Sequence, residues 1–311
     1  MCFIRNHVII VYTWDWITDS CHKYSFKTET IKIKKMKSLL LLSAFFFCPG
    51  CKTINSPFDN KMKVPDKTVV LTFDDSVRSH LTVVAPLLKK HGFGGTFFVT
   101  HAWMDDTNNY LNWEEIAELD KMGLEVGNHS WSHVAFATPK DAKLLPDELA
   151  KVEYELKKVG VPKPVSFSWP GNQFGPEAVE VLKNAGYLFA RRGPQPDVPE
   201  SSVVGLGPLY NPEINNPLLV PSSGLAVPGW TLSDFKTVVD RAKDGKIVVF
   251  QFHGVPDGRH PTCTTPPERF KEFVEYLSDN NFNVISLRDA KKYVPPDAGK
   301  SDPISKARFI P

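Results

Sequence analysis

From Val64 onward, short apolar runs rich in β-branched residues alternate with longer stretches whose apolar residues recur every three or four positions. The runs predict strands over residues 68–73 (TVVLTF), 96–100 (TFFVT), 124–127, 165–169, 187–190, 247–252 (IVVFQF) and 282–286. The amphipathic stretches predict helices over residues 83–91, 113–122, 146–159, 176–185 and 267–280. The second helix is announced by the capping box Asn112-Trp113-Glu114-Glu115, in which the first and last side chains satisfy each other's backbone N–H.

Strands apolar on both faces, most of them followed by a helix, imply an α/β fold whose parallel sheet is covered by helices. The pattern gives about seven parallel strands in one domain over residues 64–294, closed as a barrel or left open and doubly wound. Residues 193–229 are rich in Pro, Gly, Asn and Ser and too long for an ordinary connection, so they read as a loop over the functional site. Residues 295–311 read as a disordered or loosely docked tail.

The beginning of the chain follows a different pattern. Basic residues 32–37 precede the apolar run 39–47 (LLLLSAFFF), which stops at Cys48-Pro49-Gly50-Cys51. That order is the order of a secretory signal over residues 36–51, and its apolar run is shorter than the roughly 20 residues a membrane-spanning helix needs. Met36 stands where such a signal begins, so residues 1–35 read as an upstream mis-start, and residues 52–63 as a linker to the domain. Gly50-Cys51 resembles a lipoprotein processing site, so two outcomes stay open: a lipidated Cys51 attached to a membrane, or ordinary cleavage with Cys51 incidental. The expected location is the periplasm or the cell surface.

Charge and cysteine content narrow the classes further. Residues 1–51 hold seven Lys/Arg and three Asp/Glu, a surplus of four, so of the formal +2 the remainder carries −2 (2 − 4). No concentrated basic face is left for phosphate neutralisation, and nucleic acid is excluded as a partner. Four of the five cysteines precede residue 52, which rules out a disulfide framework in the main domain. Cys263 has no base near it in sequence and reads as an incidental thiol.

In parallel α/β domains active sites gather at the C-terminal ends of strands, and three predicted ends carry unusual polar groups. The run TVVLTF leads into Asp74-Asp75, the strand over 124–127 into Asn128-His129-Ser130-Trp131-Ser132-His133, and IVVFQF into His253-Gly254. Taken singly, an Asp pair is a common turn and a lone His a common hydrogen-bonded core residue. Together they offer a carboxylate and imidazoles for a divalent metal, with Zn²⁺ first and Co²⁺ or another divalent ion as alternatives. Two histidines four residues apart meet one metal if the turn between them is helical. A second carboxylate can take a proton from water and a further histidine can protonate a leaving group.

TFDD (residues 72–75), HSWSH (129–133) and FQFHG (250–254) resemble, in order and spacing, motifs of carbohydrate esterase family four, the polysaccharide deacetylases. The resemblance spans residues 66–292. It implies a distorted (β/α) barrel with one bound metal, acting on N-acetyl groups of amino-sugar glycans such as peptidoglycan or chitin-like polymers. It assigns Asp74 as catalytic base, Asp75, His129 and His133 as metal ligands, and His253 as general acid. Trp131 and the third motif, Trp169-Pro170-Gly171-Asn172, are expected at the substrate.

One departure matters: the family's third motif commonly carries an Arg that orients the catalytic Asp, whereas this chain reads Phe167-Ser168-Trp169-Pro170. Arg191 or Arg192, after the next strand, is the candidate replacement. The usual fourth motif, an Asp-Trp pair, is absent, with only Gly229-Trp230 echoing it. These differences leave room for hydrolysis of small cyclic amides, imides or O-acyl esters on the same fold, or for a glycan-binding module with weak turnover.

Overall fold

β1 (Thr68–Phe73) is buried along its whole length, as a six-residue run without a charge requires, and it is the hub of the sheet. The structure is a computed structural model that describes residues 62–198 and 206–310. β8 (Val248–Phe252) pairs with β1 over five residues on one edge. The other edge is shared, with β9 (Asn283–Ile285) against Thr68–Val70 and β2 (Thr96–Val99) against Thr72 and Phe73. β3 (Glu125–Asn128), β4 (Ser166–Ser168) and β5 (Phe189–Arg192) follow outward from β2 in chain order. Every strand pair is parallel.

Sheet closure, which the periodicity left open, is decided inside the segment read as a loop. β6 (Val220–Pro221) pairs with β5, and β7 (Gly224–Leu225) pairs with β8. Between them the Ser222 N–H donates to the Arg192 carbonyl (3.0 Å) and the Ser223 N–H to the Val249 carbonyl (2.6 Å). The two pieces are thus one bent strand that leaves the edge of β5 and joins the edge of β8, and the circuit closes into a distorted barrel. The reading of 193–229 as loop alone is corrected. Its strand is short, and Pro221 and Gly224 punctuate it as they would a turn.

The helices predicted from periodicity appear as α1 (Ala85–Lys90), α2 (Trp113–Lys121), α4 (Leu145–Lys158), α5 (Pro176–Asn184) and α7 (Pro267–Asp279). A π turn, His80–Val84, leads into α1. Two further helices, α3 (Pro139–Ala142) and α6 (Leu232–Val239), start at the capping boxes Thr138/Asp141 and Thr231/Asp234. Sequence periodicity predicted neither, because both helices are too short to show a period.

The tail is docked rather than loose. Phe309 exchanges both backbone hydrogen bonds with Phe174, at 3.3 and 2.9 Å. Arg308 reaches the Ala137 carbonyl and the Glu177 carboxylate, and Asp302 accepts from the Asn216 N–H at 2.7 Å. Among the described residues no helix is long and apolar enough to cross a membrane, and the signal read over 36–51 lies outside them.

Candidate active site

β1 has β8 on one side and β2, then β3, on the other, so the residues just past Phe73, Asn128 and Phe252 meet at one rim. Asp74 still belongs to the sheet, its N–H donating to the Phe252 carbonyl at 3.0 Å. The strand breaks at Asp75 and Ser76, both left-handed (φ 78° and 58°), which a non-glycine residue adopts at a cost of about 1–3 kcal/mol. The Ser76 hydroxyl holds this turn by donating to the Thr100 carbonyl (3.0 Å) and accepting from the Thr100 N–H (2.9 Å). The break sends the two carboxylates in different directions, although both are almost fully buried.

The turn that brings His129 and His133 together is not helical, contrary to the sequence expectation. Ser130 and His133 are both left-handed (φ 62° and 54°), and the rings meet edge to face with centroids 4.8 Å apart. His129 Nε2 and His133 Nε2 each lie 3.5 Å from Asp75 Oδ1. One ligand atom from each of the three residues lies within 4.8 Å of the others. The His129 Nδ1–H donates to the Ser168 carbonyl at 2.7 Å, which leaves its Nε2 lone pair free for a metal.

The donor set fits a divalent cation. Two ligands about 2.1 Å from one tetrahedral ion stand roughly 3.4 Å apart, close to the Asp75–histidine separations. Asp75 Oδ1 is buried without a hydrogen bond of its own. Burial would push the Asp75 carboxyl up, but the neighbouring imidazoles of His129, His253 and His133 outweigh it and hold it well below the usual carboxylate range. Burial, aided by His129, drives His133 down to about 4, so its imidazole is neutral, as a metal ligand must be.

Asp74 has a cation after all, and it comes from the neighbouring strand. Ser168 on β4 is in register with Arg191 on β5, so an Arg at 191 stands one strand spacing, about 4.8 Å, from the third motif. The Arg191 guanidinium, fully buried, donates to Asp74 Oδ2 and to the Ser168 hydroxyl, and to Asn172 Oδ1 at 3.2 Å. Gln251 Nε2 adds a second donor to Asp74 Oδ2 at 3.2 Å, while Asp74 Oδ1 is buried and makes no hydrogen bond. Arg192, pointing to the other face by strand alternation, pairs with Asp197 at 2.6 Å and serves the 193–197 backbone instead.

His253 follows β8, its Nε2 3.7 Å from Asp75 Oδ2. Its carbonyl accepts from His80 Nε2 at 3.1 Å, and burial pushes His80 down to about 4, so that ring is a neutral donor. Gly254 is required next: a Cβ there would stand 2.6 Å from Asp257 Cβ and 2.7 Å from the Pro256 carbonyl. His253 Nδ1 is buried without a partner.

The expected substrate contacts are partly overturned. Trp169 is 0% exposed, packs edge-on against Phe167 (5.2 Å) and donates its indole N–H to the Leu218 carbonyl at 3.1 Å. A ring without exposed surface is core, not a pocket wall. Trp169→Phe should therefore lower stability by about 1–3 kcal/mol, from the lost indole bond to a buried carbonyl, with KM unchanged; urea midpoints and substrate titration check both halves. Pro170 is buried too, whereas Gly171 is exposed and Asn172 half-buried beside Arg191. Trp131 is half-buried but stacks on His101 (3.9 Å) and near Trp113 (6.1 Å). Trp230 is core, against Phe250.

Sequence reading missed Gln251 as a partner of Asp74, and it gave no site role to Tyr110 and His260. Trp103 lies 4.8 Å from His133, 5.7 Å from Tyr110 and 5.4 Å from His260, ring to ring. His260 Nδ1 donates to the buried Asp257 at 3.2 Å. No local spacing marks these residues, since they meet only when the loops after β2 and β8 face each other.

Residues 61–190 match the family model described as polysaccharide deacetylase. Among curated proteins, the chain is similar to the poly-beta-1,6-N-acetyl-D-glucosamine N-deacetylase of Escherichia coli (strain K12), 26% identical over 40% of this chain and 25% of that protein. It is also similar to the peptidoglycan-N-acetylmuramic acid deacetylase PdaA of Bacillus subtilis (strain 168), 33% identical over 39% of this chain and 45% of that protein. The match thus spans a quarter to just under half the length of these relatives. Among solved structures, a family 4 acetyl xylan esterase from Clostridium thermocellum in complex with a cobalt ion superposes with a TM-score of 0.48 at 21% identity, covering 78% of this chain and 97% of that one.

Proposed function

We propose, for a chain that carries a polysaccharide deacetylase domain, that it is an exported metal-dependent hydrolase removing N-acetyl groups from an amino-sugar glycan. The observation that carries this reading is the placement of Asp74, with one oxygen tied to Arg191 and Gln251 and the other free, beside the Asp75–His129–His133 cluster and His253. The deacetylase relatives support the N-acetyl group as the target.

Asp75, His129 and His133 would hold one divalent ion, Zn²⁺ in the first place and Co²⁺ as an alternative. When bound, that ion supplies a Lewis acid that polarises the acetyl carbonyl and makes water more acidic. Asp74 takes the proton from the attacking water on its free Oδ1. Arg191 and Gln251 fix the other oxygen, so the carboxylate does not rotate away. His253 delivers a proton to the departing amine nitrogen, which would otherwise leave as a poor anion. Exposed Gly171 and half-buried Asn172 lie where the third motif meets solvent and would contact the sugar.

The basic-then-apolar order before Cys51 supports export, and release of a Cys51→Ala variant from membranes would separate lipid attachment at Cys51 from ordinary cleavage. The activity test is acetate release by metal-replete protein from peptidoglycan, chitin oligomers and β-1,6-linked poly-N-acetylglucosamine. Release from at least one of them is expected. No release from any, with metal bound, overturns the reading, and turnover confined to small cyclic imides or O-acetyl esters replaces it.

A further inference from the structure

We infer that Glu148, on α4, is a positioning residue that sets the metal affinity of the site by clamping the turn between His129 and His133. This rests on the metal reading above and names a device that none of the motifs contains. In a helical turn, successive backbone bonds would hold two histidines four residues apart in place. Here the turn carries two left-handed residues, Ser130 and His133, each costing about 1–3 kcal/mol. Its geometry has to be imposed from outside.

Three attachments impose it. At the start, the Ser130 N–H donates to the Asn128 side chain at 2.8 Å. In the middle, the Trp131 carbonyl accepts from the His101 N–H (3.1 Å) and from the Thr100 hydroxyl (3.2 Å). At the end, next to His133, the carboxylate of Glu148 takes both donors of Ser132: its N–H at 2.7 Å and its hydroxyl at 2.8 Å. Glu148 is itself only 8% exposed and belongs to a 14-residue helix, so its position does not follow the loop's motion. Charge-assisted bonds to a backbone N–H are about twice as strong as neutral ones, which suits a clamp on a strained turn.

The consequence is specific to metal binding. Without the clamp, Ser132 and the left-handed His133 relax, and the His133 imidazole leaves the position where it faces Asp75. His129 keeps its own anchor through Ser168. The remaining pair binds a divalent ion more weakly, in the range of the 10–100-fold losses typical when an outer partner of a ligand is removed.

The test titrates Co²⁺ into metal-stripped full-length protein and reads the dissociation constant and the visible Co²⁺ spectrum. Glu148→Ala should bind roughly 10–100-fold more weakly, with an altered spectrum, while its near-ultraviolet circular dichroism stays that of the folded wild type. Glu148→Gln offers an oxygen to the N–H and an amide to the hydroxyl, and should keep most of the affinity. Ser132→Ala loses only the hydroxyl bond and should fall between them. If Glu148→Ala melts earlier but its folded form binds Co²⁺ as tightly as wild type, the clamp is refuted and Glu148 is merely structural. Wild-type protein that takes up no Co²⁺ overturns the metal reading itself, and the clamp with it.

Discussion

Asp74→Asn is expected to lower turnover by roughly 10²–10⁴-fold, the usual contribution of a general base, while the protein keeps its metal. Asp75→Asn should lose metal and turnover together. The two carboxylates are neighbours in sequence, but the left-handed break at Asp75 separates their surroundings. Asp75 faces His129, His133 and His253, whereas Asp74 faces Arg191 and Gln251. An Asn at 74 keeps an oxygen for Arg191 and changes the shape little, so the turn and the ligands survive. Metal content measured beside acetate release decides the matter. An Asp74→Asn protein without metal, paired with an Asp75→Asn protein that retains it, would reverse the two roles.

Arg191→Leu should be the most damaging single change outside the proposed ligands and base. Both partners of the pair are essentially without exposed surface, and deleting one side of a buried pair costs on the order of 3–5 kcal/mol, because the other charge is left uncompensated. Turnover should fall with it, since Asp74 would be held by Gln251 alone. Arg191→Lys should recover only part, because a single ammonium cannot serve Asp74, Ser168 and Asn172 together as a planar guanidinium does. The double variant Asp74→Asn/Arg191→Leu removes both charges and should be more stable than Arg191→Leu alone. Urea midpoints for Asp74→Asn, Arg191→Leu and the double variant, each against wild type, measure the coupling. If Arg191→Leu matched wild type in midpoint and turnover, the pair would be neither structural nor catalytic.

Much of this was legible along the chain. The apolar runs of β1 and β8 located the central strands, and the polar residues directly after them, Asp74-Asp75 and His253, named most of the site before any contact was known. The Asn112 box placed α2 because its bonds are local: they join residues three apart, and their donors and acceptors stand in the sequence itself. Sequence also narrowed the replacement for the missing Arg to Arg191 or Arg192, since both follow the strand next to the third motif.

Choosing between those two needed the register of β5 on β4, because alternation sends adjacent residues to opposite faces and one slip exchanges them. Trp169 was misread for a related reason. Its position in a motif is a fact of sequence, but whether its ring meets solvent depends on Phe167 and the Leu218 carbonyl, the latter supplied by a segment about fifty residues away. The turn between His129 and His133 has the spacing of a helix and the backbone of something else, since bonds from Glu148 and His101 outweigh its local preference. Closure of the barrel came last, from a strand bent at Ser222–Ser223 that carries no period and is defined only by the edges it joins. Sequence by itself determined what depends on neighbours in the chain: the strands, most helices and the kinds of group at the strand ends. Tertiary structure alone decided what depends on pairing across the barrel, namely which Arg meets Asp74, which aromatic rings are buried and how two histidines are held on one carboxylate, because those energies arise between residues that the chain order does not bring together.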